Sequence, residues 1–454
     1  MSASTQFQAI GPKVPAKELS WHRRMAALGS NALAAWPREA YEAEVLHQRF
    51  LGRKLLLLNA PEAIRHVLVE NAGNYRRSRA TIRILRPLVG EGLFLSDGEA
   101  WRFQRQIIAP ALAPRVVPLL LSHVASATEE SLARLAAASA PVDLLATMQI
   151  LALEIAGRSM FSLEMQQHGP AMRGLIRRFG ERLGRPHLFD IVLPVAIPNL
   201  RDLARRRFRA EWLRLMDAII ATRPDAPDPD APRDLFDLLR TARHPETGQG
   251  FSAGELRDQV ATMIVAGHET TALALFWSLY LLASAPDVQD RLAEEVRGLA
   301  LTPTAGSAAL PRLVYARAVV SEALRLYPPA FVMVRQCVVA DRWQETAIPP
   351  GTLVMIAPWI LHRHRKFWRD PESFDPSRFL GDGPPVPRLA YLPFGAGPRV
   401  CVGAHFAMAE ATLVLAMIVQ RFQVARADVG PVMPVAVVTT QPDRPAPFRL
   451  SPRQ

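Results

Sequence analysis

The chain is poor in cysteine. Its 454 residues contain only Cys337 and Cys401. That excludes a disulfide framework and leaves no cysteine set for an iron–sulfur cluster; it also fits a reducing compartment. Lysine is almost missing as well, with Lys13, Lys17, Lys54 and Lys366 the only ones, so nearly all the basic charge is arginine. Those arginines are scattered, apart from Arg205-Arg206-Arg207 and the run from Arg76 to Arg86. No nucleic-acid-binding module goes with them. There is no glycine-rich dinucleotide fingerprint. Near the N-terminus no window approaches the ~20 apolar residues of a membrane span, because Lys13, Lys17, Glu18, His22, Arg23 and Arg24 interrupt them all. A signal-peptide core is lacking too. A cytoplasmic monomer with no membrane span and no nucleic-acid partner is expected.

The chain does have a hydrophobic content of 49%, enough for a large core, and a formal net charge of +12. The charge reads either as a solvated arginine-rich surface or as a positive face that steers an acidic protein partner. Helical periodicity dominates: Leu119 to Ala138, Leu144 to Met160, Leu203 to Ala221 and Ser252 to Ala285 carry apolar residues at three- and four-residue steps. Strand-like pieces are short, at Leu55 to Leu58, Val332 to Val339 and Leu353 to Ile356. Residues 223–232, Arg-Pro-Asp-Ala-Pro-Asp-Pro-Asp-Ala-Pro, block helix and strand alike. They read as a surface loop inside one domain, 1–454, with a lead-in at 1–50. The fold class is mainly α with a small β region.

The most informative stretch is Phe394-Gly395-Ala396-Gly397-Pro398-Arg399-Val400-Cys401-Val402-Gly403. A thiolate at neutral pH needs a positive environment, and a helix N-terminus supplies one. Gly395 and Gly397 permit the tight backbone involved, and the run from His405 to Phe422 supplies the helix. A sulfur held this way suits haem iron. The competing reading is a structural cysteine in a glycine turn; Cys337, among Val334, Val338 and Val339, is read as an inert core thiol.

These ten residues resemble the cysteine loop of the cytochrome P-450 superfamily, the haem-thiolate monooxygenases. The resemblance implies a triangular helical prism with haem b between a long oxygen-activating helix and the cysteine-loop helix, and Cys401 as the iron's axial ligand. Other motifs follow in the family's order. Ser252-Ala253-Gly254-Glu255 reads as a capping box opening a long helix. At its centre stands Ala266-Gly267-His268-Glu269-Thr270-Thr271. A mid-helix glycine costs about 1 kcal/mol relative to alanine, so it asks for a compensating use. The resemblance gives one: Ala266 and Gly267 leave room for O2, the helix ladder widens locally, and Thr270 and Glu269 deliver protons. The plain alternative is a threonine pair bonding back to helix carbonyls, with a solvent-facing glutamate. His268 is read as a packing or surface residue.

Glu322-Ala323-Leu324-Arg325 puts Glu322 and Arg325 on one helical face. With Leu326-Tyr327-Pro328-Pro329 after them and the segment from Trp368 to Phe379 further on, they resemble the family's structural triad, completed by Arg378. For the haem propionates the resemblance implies Trp101 and Arg105, four apart on one face, with Arg399 and the strand residue Arg335. Phe394, Gly395 and Gly403 frame the cysteine.

Family substrate regions fall on Ile82, Leu85, Leu88, Val89, Phe189, Ile191, Val192, Val265, Phe331 and Val332, an apolar set that implies a hydrophobic small molecule. Arginines 76, 77, 79, 83 and 86 either hold a substrate carboxylate or form a solvated face. With no electron-transfer module on the chain, the resemblance implies a separate acidic ferredoxin or flavodoxin, fed by a reductase from NADH or NADPH. The leading reading is a monooxygenase using O2. A peroxide-driven or rearranging enzyme would lose the acid–alcohol pair, which is intact here. A non-catalytic haem ligand-binding protein is the third reading.

Overall fold

The computed structural model describes residues 7–50, 52–138, 140–223, 231–381 and 386–453. Positions 224–230 of the proline-rich stretch lie outside the described residues. The structure is 55% helix and 12% strand, so the mainly helical expectation holds. The elements that position the site are, along the chain, strands β1 (Val45–Phe50), β2 (Arg53–Leu58) and β3 (Tyr75–Arg77), helices α1 (Arg79–Val89), α2 (Gly98–Ala111), α3 (Val117–Ala136), α4 (Leu144–Phe161), α5 (Leu200–Ala221), α6 (Ala253–Ser284) and α7 (Val314–Leu326), strands β4 (Met333–Cys337) and β5 (Leu353–Ile356), helix α8 (Ala404–Arg421), and a hairpin of β6 (Pro434–Ala436) and β7 (Thr440–Pro442).

Helix α6 begins as its sequence requires. Ser252 Oγ accepts from Glu255 N, and the Glu255 carboxylate accepts from Ser252 N. The helix ends at Ser284, and Pro286 opens the next helix, Pro286–Val296. Leu273, Leu275, Phe276, Trp277, Leu279, Tyr280, Leu281 and Leu282 are all fully buried. A helix apolar on every side belongs in a core, and α6 packs against α4, α7 and α8. By length and composition α4 and α6 could each cross a membrane. Both are two-thirds buried within the fold, so packing accounts for their apolarity.

The main sheet has the order β1-β2-β5-β4-β3. β2 and β5 run parallel and the other pairs antiparallel. The register sets Arg77 directly opposite Arg335. Cys337 is buried, and its thiol is pushed up by burial. Its expected cover differs, since Val338 and Val339 are exposed and Leu56, Ile64 and Ile348 form the surrounding cluster. Residues 7–10 fold back across the molecule. Tyr327 Oη receives Ile10 N at 2.9 Å and donates to Ile10 O at 3.2 Å, while Ala9 N donates to Glu372 O and Phe374 N to Phe7 O.

Candidate functional site: an accessible thiol among arginines

The loop before α8 is built by its glycines. Gly395 and Gly397 have φ of 73° and 72°, a region open to glycine. A Cβ on Gly397 would stand 1.8 Å from Leu68 O, so the loop passes that carbonyl at a distance only glycine allows. Cys401 N donates to Phe394 O at 2.9 Å, closing the loop on itself. The thiol is accessible although protein surrounds it, as expected of a group on the wall of an interior space. Burial pushes its proton affinity up, and this outweighs the bond from Gly403 N and the charge of Arg105, which pull it down.

Arg105, on α2, donates to Val400 O at 2.9 Å. One turn earlier, Trp101 lies under the Arg399 guanidinium, 4.6 Å from its ring centre. Arg399 donates to Ser96 O at 3.0 Å and to Asp97 at 2.5 Å. Arg335 is buried, and its side chain reaches its neighbour's carbonyl, Val334 O. Arg77 stacks on Phe94 at 4.2 Å, and its buried Nε has no partner.

Three buried or half-buried guanidinium groups, those of Arg77, Arg335 and Arg399, therefore converge near one carboxylate, Asp97, which the exposed Arg76 also pairs with. Burial, then the charges of Arg335 and Arg399, depress Arg77 to about 9. Burial, then Arg399, depresses Arg335 to about 10. A protein does not gather buried like charges without a use for them. Carboxylates placed there would relieve the repulsion and satisfy the orphaned Arg77 Nε, which fits haem propionates.

On α6, Ala266 and Gly267 are exposed in the middle of a helix otherwise largely buried, and a Cβ on Gly267 would meet nothing within 4 Å. Val265 beside them and Val402 beside the cysteine pack onto the same apolar cluster. Helix α6 is continuous here, so the expected widening of its ladder is not seen. Thr270 Oγ1 donates to Ala266 O at 2.6 Å, the back-bonded form. Glu269 is not free in solvent: Thr439 and Gln441 both donate to its Oε1. His268 is buried with Nε2 on Gln149 O and is a packing residue.

Behind the loop, Arg325 makes two 2.7 Å bonds to Glu322, both side chains being fully buried. Arg325 also donates to the carbonyls of His362, Pro371 and Ser373. Arg378 joins at 3.5 Å from Glu322, an ion pair rather than a hydrogen bond. Leu392 N donates to His362 Nε2, and Tyr391 Oη to Ser321 O. These bonds carry the cluster's rigidity into the segment entering the cysteine loop.

The other singled-out residues separate. Leu88, Val89 and Phe331 lie in the core; Ile82, Leu85, Ile191, Val265 and Val332 are half-buried; Phe189 and Val192 are exposed. Of the arginines near 80, only Arg76 and Arg77 come together, both near Asp97. Arg76 pairs with Asp97 and Arg86 with Glu91, and Arg83 donates to the carbonyls of Pro194 and Ile197. Arg205 is buried on Asp190 instead of forming a basic surface run. Arg77 was named with the arginines near 80 but not with the propionate set. Facing Arg335 across two strands, it had no local signal beyond its place in an arginine-rich segment.

The comparisons establish the family to which this chain belongs. The family description "Cytochrome P450" matches residues 37–445. Cyclooctatin synthase of Streptomyces melanosporofaciens is 33% identical over 84% of this chain and 83% of its own. Cyclooctat-9-en-7-ol 5-monooxygenase of the same organism is 29% identical over 91% and 93%. Protein LUTEIN DEFICIENT 5 of Arabidopsis thaliana is 31% identical over 86% and 68%. The crystal structure of the cytochrome P450DA heme domain superposes with a TM-score of 0.77, at 25% identity over 90% of each chain. The thiol in its glycine loop, the converging arginines and these matches lead to one statement: the chain belongs to the cytochrome P450 family and is a haem-iron, O2-using monooxygenase.

Proposed function

We propose that this protein places one oxygen atom of O2 into a hydrophobic small molecule, using haem b held through Cys401 and electrons from a separate protein. The observation that carries the reading is the accessible Cys401 thiol close to Arg105, with Arg77, Arg335 and Arg399 gathered nearby. Sulfur for a metal and cations for carboxylates occur together there. When bound, the haem supplies the metal at which O2 is reduced and its bond broken. Arg105 and the Gly403 N–H favour the thiolate. Arg77, Arg335 and Arg399 would neutralise the propionates, with Trp101 setting the orientation of Arg399. Ala266 and Gly267 keep one wall open. Glu269 and Thr270 pass protons inward from water, each as a positioned donor and acceptor. Glu322, Arg325 and Arg378 hold the loop's approach and take no part in the chemistry.

The half-buried Ile82, Leu85, Val265 and Val332 support an apolar substrate. The relative acting on cyclooctat-9-en-7-ol suggests a mostly hydrocarbon ring alcohol as the first compound to try. The net charge of +12 suits a small acidic ferredoxin or flavodoxin, with a reductase drawing on NADH or NADPH. We take the chain to work as a monomer, as one domain, in the cytoplasm.

Carbon monoxide added to the reduced protein should give the strongly red-shifted Soret band of thiolate ligation, and Cys401→Ala should abolish it. A band at the position given by histidine ligation would overturn the assignment. A spectral titration with cyclooctat-9-en-7-ol and other apolar compounds then tests the substrate class.

A further inference from the structure

Glu269 lies beside Thr270 on α6, yet its carboxylate is held from 170 residues away. Thr439 Oγ1 donates to Glu269 Oε1 at 2.8 Å, and Gln441 Nε2 donates to the same atom at 2.5 Å. Gln441 also reaches Thr439 Oγ1 at 3.3 Å. These residues belong to the β6–β7 hairpin, where Val435 pairs with Gln441 and Ala436 with Thr440. Side chains alternate along a strand, and the hairpin uses that alternation. Thr440 turns to the core, where its hydroxyl donates to Pro328 O at 2.7 Å, its N–H to Pro329 O, and its carbonyl accepts from Trp277 Nε1 at 3.0 Å. Its neighbours Thr439 and Gln441 turn to Glu269. The far strand is fixed by Asn31, which donates to Pro434 O at 2.9 Å and accepts from Ala436 N at 3.1 Å.

The hairpin is therefore a rigid arm. Thr440 N is bonded at Pro329, two residues before Phe331 and three before Val332. A methyl of Val438, at the tip, would be 3.1 Å from a Cβ placed on Gly184. Gly184 follows the helical segment Phe179–Leu183. One arm thus connects that segment, the strand side of the pocket and the acid on α6.

We propose that Thr439 and Gln441 are positioning residues that fix the Glu269 carboxylate for proton delivery. They hold Oε1; among the described residues no partner reaches Oε2, which is left to exchange protons with water and Thr270. A proton relay works only if its members stay in register, and a displaced group can lose up to about 100-fold in rate. This inference rests on the role given to Glu269 under the proposed function.

The test is a double-mutant cycle between the arm and the acid. The full-length holoprotein is supplied with NADPH, a plant-type ferredoxin and its reductase, and the split of reduced oxygen between peroxide and water is measured. Thr439→Val with Gln441→Leu keeps shape and removes both donors; the peroxide-to-water ratio should rise about tenfold. Thr439→Ser should restore the ratio where Thr439→Val alone has raised it. In a Glu269→Gln background the arm substitutions should add nothing. A second readout is independent of turnover: in Glu269→Ala, hydrogen exchange at residues 437–441 should speed up. Additive effects in the cycle, or no effect of the arm variants while Glu269→Gln shifts the ratio, would overturn the inference and leave the relay standing. A silent Glu269→Gln would overturn the relay reading itself. The reduced carbon monoxide spectrum of each variant verifies that haem and fold are retained.

Discussion

Gly397→Ala should be among the most damaging single-methyl changes the protein can suffer. Two effects combine. The residue has a φ of 72°, where an L side chain costs about 1–2 kcal/mol. The added methyl would also stand 1.8 Å from Leu68 O, 2.8 Å from Leu68 C and 3.2 Å from Val69 Cα. These are backbone atoms of the turn His66–Glu70, so no rotamer change can make room. Overpacking typically costs about 1–3 kcal/mol, and here the loop itself must shift. The sum is about 2–5 kcal/mol. At about 2 cal/mol/K of unfolding entropy per residue, a chain of this length has about 1 kcal/mol/K, so the melting temperature should fall by about 2–5 °C. Because the displaced loop carries Cys401, haem content should fall out of proportion to stability. Thermal melts together with the reduced carbon monoxide spectrum measure both. Gly254→Ala is the control, since nothing lies within 4 Å of its added methyl. A Gly397→Ala protein that melts with the parent and carries full haem would refute the argument.

Arg325→Met should cost about 3–5 kcal/mol, because it strands the fully buried Glu322 charge; Arg378→Met, which removes a 3.5 Å contact to Glu322 and an exposed hydrogen bond to Asp370 O, should cost clearly less in the same melts. Arg77→Met should split two readouts: the haem-free protein gains stability by losing a repelled cation whose proton affinity is depressed to about 9, while haem is lost faster to an acceptor apoprotein. Stability and haem retention falling together would count against the propionate assignment. His268 is depressed by burial to about 4, against about 6.5 unfolded. It is therefore neutral when folded, and its contribution is complete above pH 6.5 and lost as pH falls toward 4. At pH 5 the loss is about 2 kcal/mol, so His268→Gln should flatten the fall in melting temperature between pH 7 and 5, and an unchanged slope would refute this.

Local periodicity was enough to read the long helices. The stretch read as Leu119 to Ala138 is helical over Val117–Ala136, that read as Leu203 to Ala221 over Leu200–Ala221, and that read as Ser252 to Ala285 over Ala253–Ser284. In each the signal is carried by side chains three and four apart, which is information a short window holds. The strand at Leu353–Ile356 is found as read. Glu322 and Arg325 were legible as neighbours on a helix from their spacing; their burial followed only from the family resemblance, because it depends on carbonyls supplied by residues 362–373. The same limit explains Arg77 and the Thr439–Gln441 arm. Each acquires its role from sheet register or a hairpin face across more than 150 residues, and no local pattern encodes that. The arginines near 80 show the converse. Close in sequence, they left a shared carboxylate site and a solvated face both open; strand and helix geometry sends Arg83 and Arg86 to separate partners while Arg76 and Arg77 both lie near Asp97.

The docking of residues 7–10 onto Tyr327 and the segment 372–374 bears on the order of assembly. During synthesis residues 7–10 emerge more than 300 positions ahead of the surface they lie on, and can dock only once that surface has left the ribosome. That segment is thus a clasp, fastened once the helical body it lies on exists.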